Sequence, residues 1–178
     1  MHLNLGVIVS AVLATLVVAV PVEELEERAE PTAEFTTEVL RQHNRYRAQY
    51  GAEPLTWSDD LYPATLEWAN MCKFRHSQAG GKYGENLYAG GGPSVTFAQG
   101  MKAWMDESVK YNYANPVFSG ATGHFTQVVW KSTTQVACAM VDCGAGTIFS
   151  MPSKFVVCRY SPPGNYQGQF AENVGRRV

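Results

Sequence analysis

The chain is poor in charge. Asp, Glu, Lys and Arg make up only 17% of its 178 residues, with 14 basic against 16 acidic side chains and a formal net charge of -2. A surface that tracks phosphates needs Lys and Arg in clustered excess, so nucleic acid is not an expected partner. Also lacking are a glycine triplet, a dominant Ala/Glu/Lys periodicity and any internal repeat, while aromatics reach 12%. Those absences exclude a collagen-like chain, a coiled coil and a disordered polymer. There is no Asn-x-Ser/Thr glycosylation acceptor, no Gly-x-Ser-x-Gly elbow and no His-Glu-x-x-His helix. No second long apolar run follows the first, and the last residues, with Arg176 and Arg177, are not a lipid-anchor signal.

What is present begins with an almost wholly apolar run from Leu3 to Val20, followed by Pro21 and then Glu23, Glu24, Glu26 and Glu27. The run reads as a secretory signal peptide, residues 1–19, with cleavage after Ala19. An uncleaved anchor is the alternative, because about 18 apolar residues lie near the lower limit for spanning a bilayer. Residues 20–33 read as an acidic linker or propeptide. Four cysteines follow, Cys72, Cys138, Cys143 and Cys158. For a chain bound for an oxidising compartment, an even count means two disulfides, and no Cys-x-x-Cys pair favours zinc-thiolate ligation. Four cysteines allow three pairings, and spacing does not choose among them.

Phe35, Val39, His43, Tyr46 and Tyr50 recur at helical spacing, with Gly51 as a stop. Ser58 with Asp59 and Asp60 reads as the start of a second helix whose face is Leu61, Ala64, Trp68 and Met71 or Cys72. Lys73 to Pro93, rich in glycine, reads as a long loop. Ser94 is expected to cap a third helix with a face of Phe97, Met101, Trp104 and Met105 or Ser108; Gly100 within it implies close backbone packing. An aromatic loop from Tyr111 to Gly123 then leads to strand-like stretches at 125–130, 135–141, 147–151 and 154–160. Helices first and strands last give an α+β domain with a mainly antiparallel sheet.

Downstream of the leader, the histidines are His43, His76 and His124. From periodicity alone, nothing brings His76 and His124 together with Glu85 and Glu107; each has an ordinary structural reading as a local hydrogen-bonding group. Four motifs change this. Gly123-His124-Phe125-Thr126-Gln127-Val128-Val129-Trp130 resembles the first signature of the CAP superfamily, which contains cysteine-rich secretory, antigen 5 and pathogenesis-related class-one proteins. Phe155 to Tyr166, reading FVVCRYSPPGNY, resembles the second. His43-Asn44-Arg45-Tyr46-Arg47 and Gly84-Glu85-Asn86-Leu87 are similar to two further family motifs. The spelling Tyr113-Ala114-Asn115-Pro116, with no extra cysteine pair before His124, resembles the fungal, pathogen-related-in-yeast branch.

The resemblance implies an α-β-α sandwich over residues 34–174, with 175–178 as a tail. It implies the pairings Cys72 with Cys138 and Cys143 with Cys158. It maps a cavity tetrad onto His76, Glu85, Glu107 and His124, which could hold Zn²⁺ or Mg²⁺ with water or stand as a metal-free hydrogen-bonded cluster. It further implies sterol binding through an aromatic loop, here Tyr111, Tyr113, Pro116 and Phe118, whose flat rings suit a fused-ring ligand. Fatty acids, or other small hydrophobic compounds, are expected between the helices beginning near Thr36 and Ser94. The expected function is thus a secreted, non-enzymatic lipid-binding protein that solubilises or exports sterols, without a stable membrane anchor. The alternatives are a metal-dependent secreted peptidase using the tetrad, and an extracellular effector or interaction module in host-pathogen or defence settings.

Overall fold

The computed structural model describes residues 30–178; the expected signal segment and most of the acidic linker, residues 1–29, lie outside them. Five helices and four strands follow in the order α1 (Ala33–Ala48), β1 (Thr56–Trp57), α2 (Tyr62–Asn70), β2 (Gly84–Gly91), α3 (Phe97–Asp106), α4 (Gly123–Val128), β3 (Gln135–Cys143), β4 (Ser153–Ser161) and α5 (Phe170–Asn173), with a 3-10 turn at Glu107–Lys110. The sheet order is β1-β3-β4-β2, antiparallel except for the short parallel β1/β3 pairing. Among the described residues no helix is long and apolar enough to cross a membrane.

Alternation along the two central strands creates two cores. Val136 and Cys138 with Val156, Cys158 and Tyr160 face α1, α3 and α4, where Val39, Met101, Trp104 and Phe125 are buried. The intervening Ala137, Ala139, Phe155 and Val157 face α2, with Tyr62 and Ala69. Successive strand residues point to opposite faces, so the α-β-α sandwich follows from the residues themselves.

Several local expectations need correction. The stretch Phe125–Trp130 begins as α4, not as a strand, despite its β-branched and aromatic residues. Thr122 provides no side-chain cap there; instead Oε2 of Glu107 accepts from the backbone N–H of both His124 and Phe125. A carboxylate from another element thus satisfies the first orphan donors and overrides propensity. Residues 147–151 form a turn, in which Thr147 donates to the Gly144 carbonyl, rather than a strand. Within the expected loop 73–93, Gly84–Gly91 is an edge strand paired along its whole length with β4. Thr96, not Ser94, caps α3 through a reciprocal arrangement with Gln99. The fully buried face of α2 is Tyr62, Thr65 and Ala69; of the expected face, Leu61, Trp68 and Cys72 pack partly buried against the same core, whereas Ala64 and Met71 are exposed.

The implied disulfide pairing is also overturned: the bonds are Cys72–Cys143 and Cys138–Cys158. Register explains both. Cys138 and Cys158 lie opposite each other on β3 and β4, pointing into the α1/α3 core, whereas Cys143 has the other parity and faces the end of α2, just where Cys72 stands. The expectation for Gly100 holds, since a Cβ there would stand 3.1 Å from the Tyr88 ring.

Candidate functional site

The site sits at the end of the sheet where β2 begins. Neighbouring residues Glu85 and Asn86 necessarily point to opposite faces. Glu85 joins its register partner Arg159 on the α2 side, accepting from Arg159 Nε at 3.2 Å. Asn86 turns to the other side, where its amide donates to the His124 carbonyl at 3.1 Å and to the Tyr160 hydroxyl at 3.3 Å.

The four expected residues form two histidine–carboxylate pairs. Nδ1 of His76 donates to Glu85 Oε1 at 3.0 Å, and Nδ1 of His124 to Glu107 Oε1 at 2.6 Å. In both pairs the carboxylate is the inner member: the Glu85 and Glu107 side chains are 5% and 15% exposed, against 62% and 32% for His76 and His124. Ser77 also donates to Glu85 through its backbone N–H and its hydroxyl. Burial pushes the Glu85 carboxyl up, but the hydrogen bonds from His76, Ser77 and Arg159 outweigh it and hold it below its ordinary value. His124 is stacked on Trp104, whose indole N–H donates to the Leu87 carbonyl at 2.9 Å.

Three of the four, His76, Glu85 and His124, border a cavity of about 320 Å³ whose walls also include Tyr83, Asn86, Phe118 and Asn165; Glu107 stands behind His124. The tetrad is not one coordination shell. Among the described residues, the His, Cys, Asp and Glu ligand atoms that gather within 4.8 Å of one another belong to His43, Cys138 and Cys158, and those two sulfurs are bonded together. With the carboxylates holding Nδ1 of each ring, the donors left for a metal are the two Nε2 atoms, and the carboxylates orient them.

The expected lipid loop divides. Tyr111 is 8% exposed and belongs to the core, edge-on to Phe125. Tyr113 packs at 4.7 Å on Tyr111, donates to the Gly175 carbonyl and carries the Arg176 guanidinium over its ring. Pro116 is half-buried. Phe118 is 52% exposed and reaches the cavity edge, where its ring fills the space a Cβ on Gly123 would need.

Sequence reasoning gave no role to Ser77, Tyr83, Asn86, Gln127, Arg159 or Asn165. Their roles arise only from packing. Asn165, with φ of +62°, accepts from the Thr126 hydroxyl and donates to the Gly123 carbonyl, bracing the turn before His124. Gln127 Oε1 accepts from Gly164 N–H, and a Cβ on Gly84 would collide with that amide. The signal that could have pointed to Asn165 and Gln127 was their place inside the two signature segments. His43 is structural: Nδ1 donates to the Val39 carbonyl, leaving Nε2 to accept from the Tyr160 hydroxyl, and burial lowers its pKa to about 4.

This fold, with its paired histidines and carboxylates, is that of the CAP family, and the chain belongs to it: residues 40–160 match the family described as "CAP: Cysteine-rich secretory protein family". "Protein PRY2" of Saccharomyces cerevisiae is 38% identical over 144 residues, covering 79% of this chain but only 41% of the yeast protein. "Pathogenesis-related protein 1A" of Nicotiana tabacum is 40% identical over 136 residues, covering 73% of this chain and 76% of the tobacco protein. "Secreted protein PRY1" of Candida albicans is 40% identical over 144 residues, covering 80% of this chain and 32% of that protein. The kinship with the fungal branch is therefore as expected. Among solved structures, the one titled "Crystal structure of NaASP2 with Zn2+" shares the fold with a TM-score of 0.66 at 23% identity, over 83% of this chain and 87% of that one.

Proposed function

We propose that this protein is secreted and binds sterols or related small hydrophobic compounds, without catalysis, at the loop between Tyr111 and Thr122. The observation that carries this reading is the loop's construction. Tyr111 and Tyr113 anchor its base, while Val117 and Phe118 are 38% and 52% exposed at its tip. Exposed apolar residues held on an anchored loop beside a cavity suit a flat apolar ligand. Secretion is supported by the apolar N-terminal run and by relatives named as secreted proteins. A fatty acid would lie in the cleft of about 180 Å³ between Tyr46 and Met105, where Arg177 could meet its carboxylate.

His76 and His124 would hold a divalent ion through Nε2. Imidazole donors suit Zn²⁺ better than the oxygen-seeking Mg²⁺, and the ion would supply a fixed positive charge at the cavity. Glu85 and Glu107 fix the tautomer of each ring. The peptidase alternative draws no support from this arrangement, because both carboxylates are committed as acceptors to N–H and O–H groups rather than poised as a base. The pathogenesis-related names of the plant relatives support an extracellular defence setting.

Binding of labelled cholesterol or ergosterol tests the reading. It should be saturable and fall about tenfold or more in Val117→Ala with Phe118→Ala, since two apolar contacts are each worth about 1 kcal/mol or more. Saturable binding unchanged by that pair would remove the loop from the account.

A further inference from the structure

The outer flank of α2 carries apolar residues beyond its fully buried face. Ala64, Trp68 and Met71 recur at helical spacing; Ala64 and Met71 are exposed, whereas Trp68 is half-buried, packed against the core of Tyr62 and Ala69 on one side and open to a cleft on the other. The three line this second cleft, of about 270 Å³, together with Glu67, Tyr83 and Arg159. Tyr83 also borders the histidine cavity, so the two hollows share one wall.

Both aromatic walls are fixed. The Trp68 indole N–H donates to the Arg75 carbonyl at 3.1 Å, and the Tyr83 hydroxyl is hydrogen-bonded to Ser77 at 2.9 Å. Each ring already carries a cation: the Arg75 guanidinium lies 5.8 Å from the Trp68 ring centre and that of Arg159 lies 4.3 Å from Tyr83. Arg159 is neutralised by Glu85. Glu67 is exposed and makes no ion pair among the described residues. The cleft therefore combines an indole, a phenol, a thioether and a carboxylate held in no ion pair, the chemistry that selects a weakly hydrated organic cation over a neutral group of equal shape.

We propose that this cleft binds a trimethylammonium group, carried either by a free solute or by a lipid headgroup. The probe is choline, titrated while the Trp68 indole N–H resonance is followed by NMR. The control is the neutral carbon analogue in which a tert-butyl group replaces the trimethylammonium. Choline should shift that resonance saturably and bind about 5- to 10-fold more tightly than the analogue, the range expected of a partly exposed cation–π site. Glu67→Gln, an exposed change that leaves both cores intact, should weaken choline severalfold and leave the analogue unaffected. Trp68→Ala, followed instead through the Met71 methyl resonance, should abolish choline binding. Co-sedimentation with phosphatidylcholine vesicles, lost in Trp68→Ala, would assign the cation to a lipid, whereas choline binding without vesicle binding would assign it to a free solute. Equal affinity for the neutral analogue, no effect of Glu67→Gln, or no saturable response at Trp68 would overturn the proposal.

Discussion

Glu107 grips His124 twice: one carboxylate oxygen accepts from the imidazole Nδ1 at 2.6 Å, and the other accepts from the same residue's backbone N–H at 3.0 Å. Ring and backbone are therefore set by one side chain, which also caps the start of α4. Neutralising it should disturb metal binding more than folding. Glu107→Gln is expected to weaken Zn²⁺ binding about 10- to 100-fold, read by calorimetric titration, while thermal unfolding confirms a folded protein. Unaltered Zn²⁺ affinity would mean that the carboxylate does not orient the ring for a metal.

Arg47 is fully buried and donates to four backbone carbonyls, those of Glu53, Val128, Trp130 and Thr133. Burial lowers its pKa to about 10, so it stays charged at neutral pH. Arg47→Met should cost about 3 kcal/mol or more, because the carbonyls it leaves behind stay buried without donors. Denaturant titration gives the value; a cost below about 1 kcal/mol would mean that water replaces the guanidinium.

The buried imidazole of His43 makes acid stability a test of the core. Unfolded, the ring takes up a proton near its ordinary value of 6.5; folded, it resists until about 4. The unfolded state thus binds more protons between those limits, and stability should fall as pH drops from 6.5 towards 4, by about 3 kcal/mol in all. In His43→Gln the slope of unfolding free energy against pH should flatten over that window. An unchanged slope would place the titration on another group; Glu85 is not that group, because its carboxyl is held below its ordinary value of 4.5 and its stabilisation is lost only as pH falls beneath that value.

Peptide mapping under non-reducing conditions should recover Cys72 joined to Cys143 and Cys138 joined to Cys158. The first bond closes a separation of 71 residues and the second one of 20. In the chain-entropy account they stabilise by about 4 and 3 kcal/mol. Cys72→Ser with Cys143→Ser should therefore lower stability by up to about 4 kcal/mol while leaving the inner bond intact.

The loop proposed to bind lipid can be dissected by position. Tyr111→Ala should destabilise the fold by about 3 kcal/mol, as expected for a large buried ring, whereas Phe118→Ala should leave unfolding nearly unchanged and act on ligand binding alone. Paired melting and sterol-binding curves separate the two; a stability cost at Phe118 equal to that at Tyr111 would make the whole loop structural.

Much of this was legible in the sequence where local pattern and tertiary role agreed. The faces of α1 and α3 were readable because Val39, His43, Met101 and Trp104 repeat at helical spacing and are in fact buried. The pairing of chemistry around His124 was readable only through family motifs, since its partner Glu107 lies 17 residues away on another element. Where tertiary contacts dictated the outcome, reading failed. The helix at Phe125 needs a distant carboxylate, and the strand at Gly84–Gly91 hides behind glycines demanded by Gln127 and Val95. On α2 two apolar stripes compete: Leu61, Trp68 and Cys72 do pack on the core, but Ala64 and Met71 of the same stripe are exposed, and the fully buried positions are Tyr62, Thr65 and Ala69. The implied disulfides failed because only strand register shows which sulfurs share a face.

The adjacency of Glu85 and Asn86 on an edge strand has a bearing on misfolding. A slip of β2 by one residue against β4 would exchange the sides on which the two emerge. It would strand Arg159 without its carboxylate and take the amide from Tyr160 in the same stroke. A misaligned molecule therefore cannot keep half a site: the two faces of the sheet lose their polar partners together, so the residues that build the binding region also proofread the alignment of the strand that carries them.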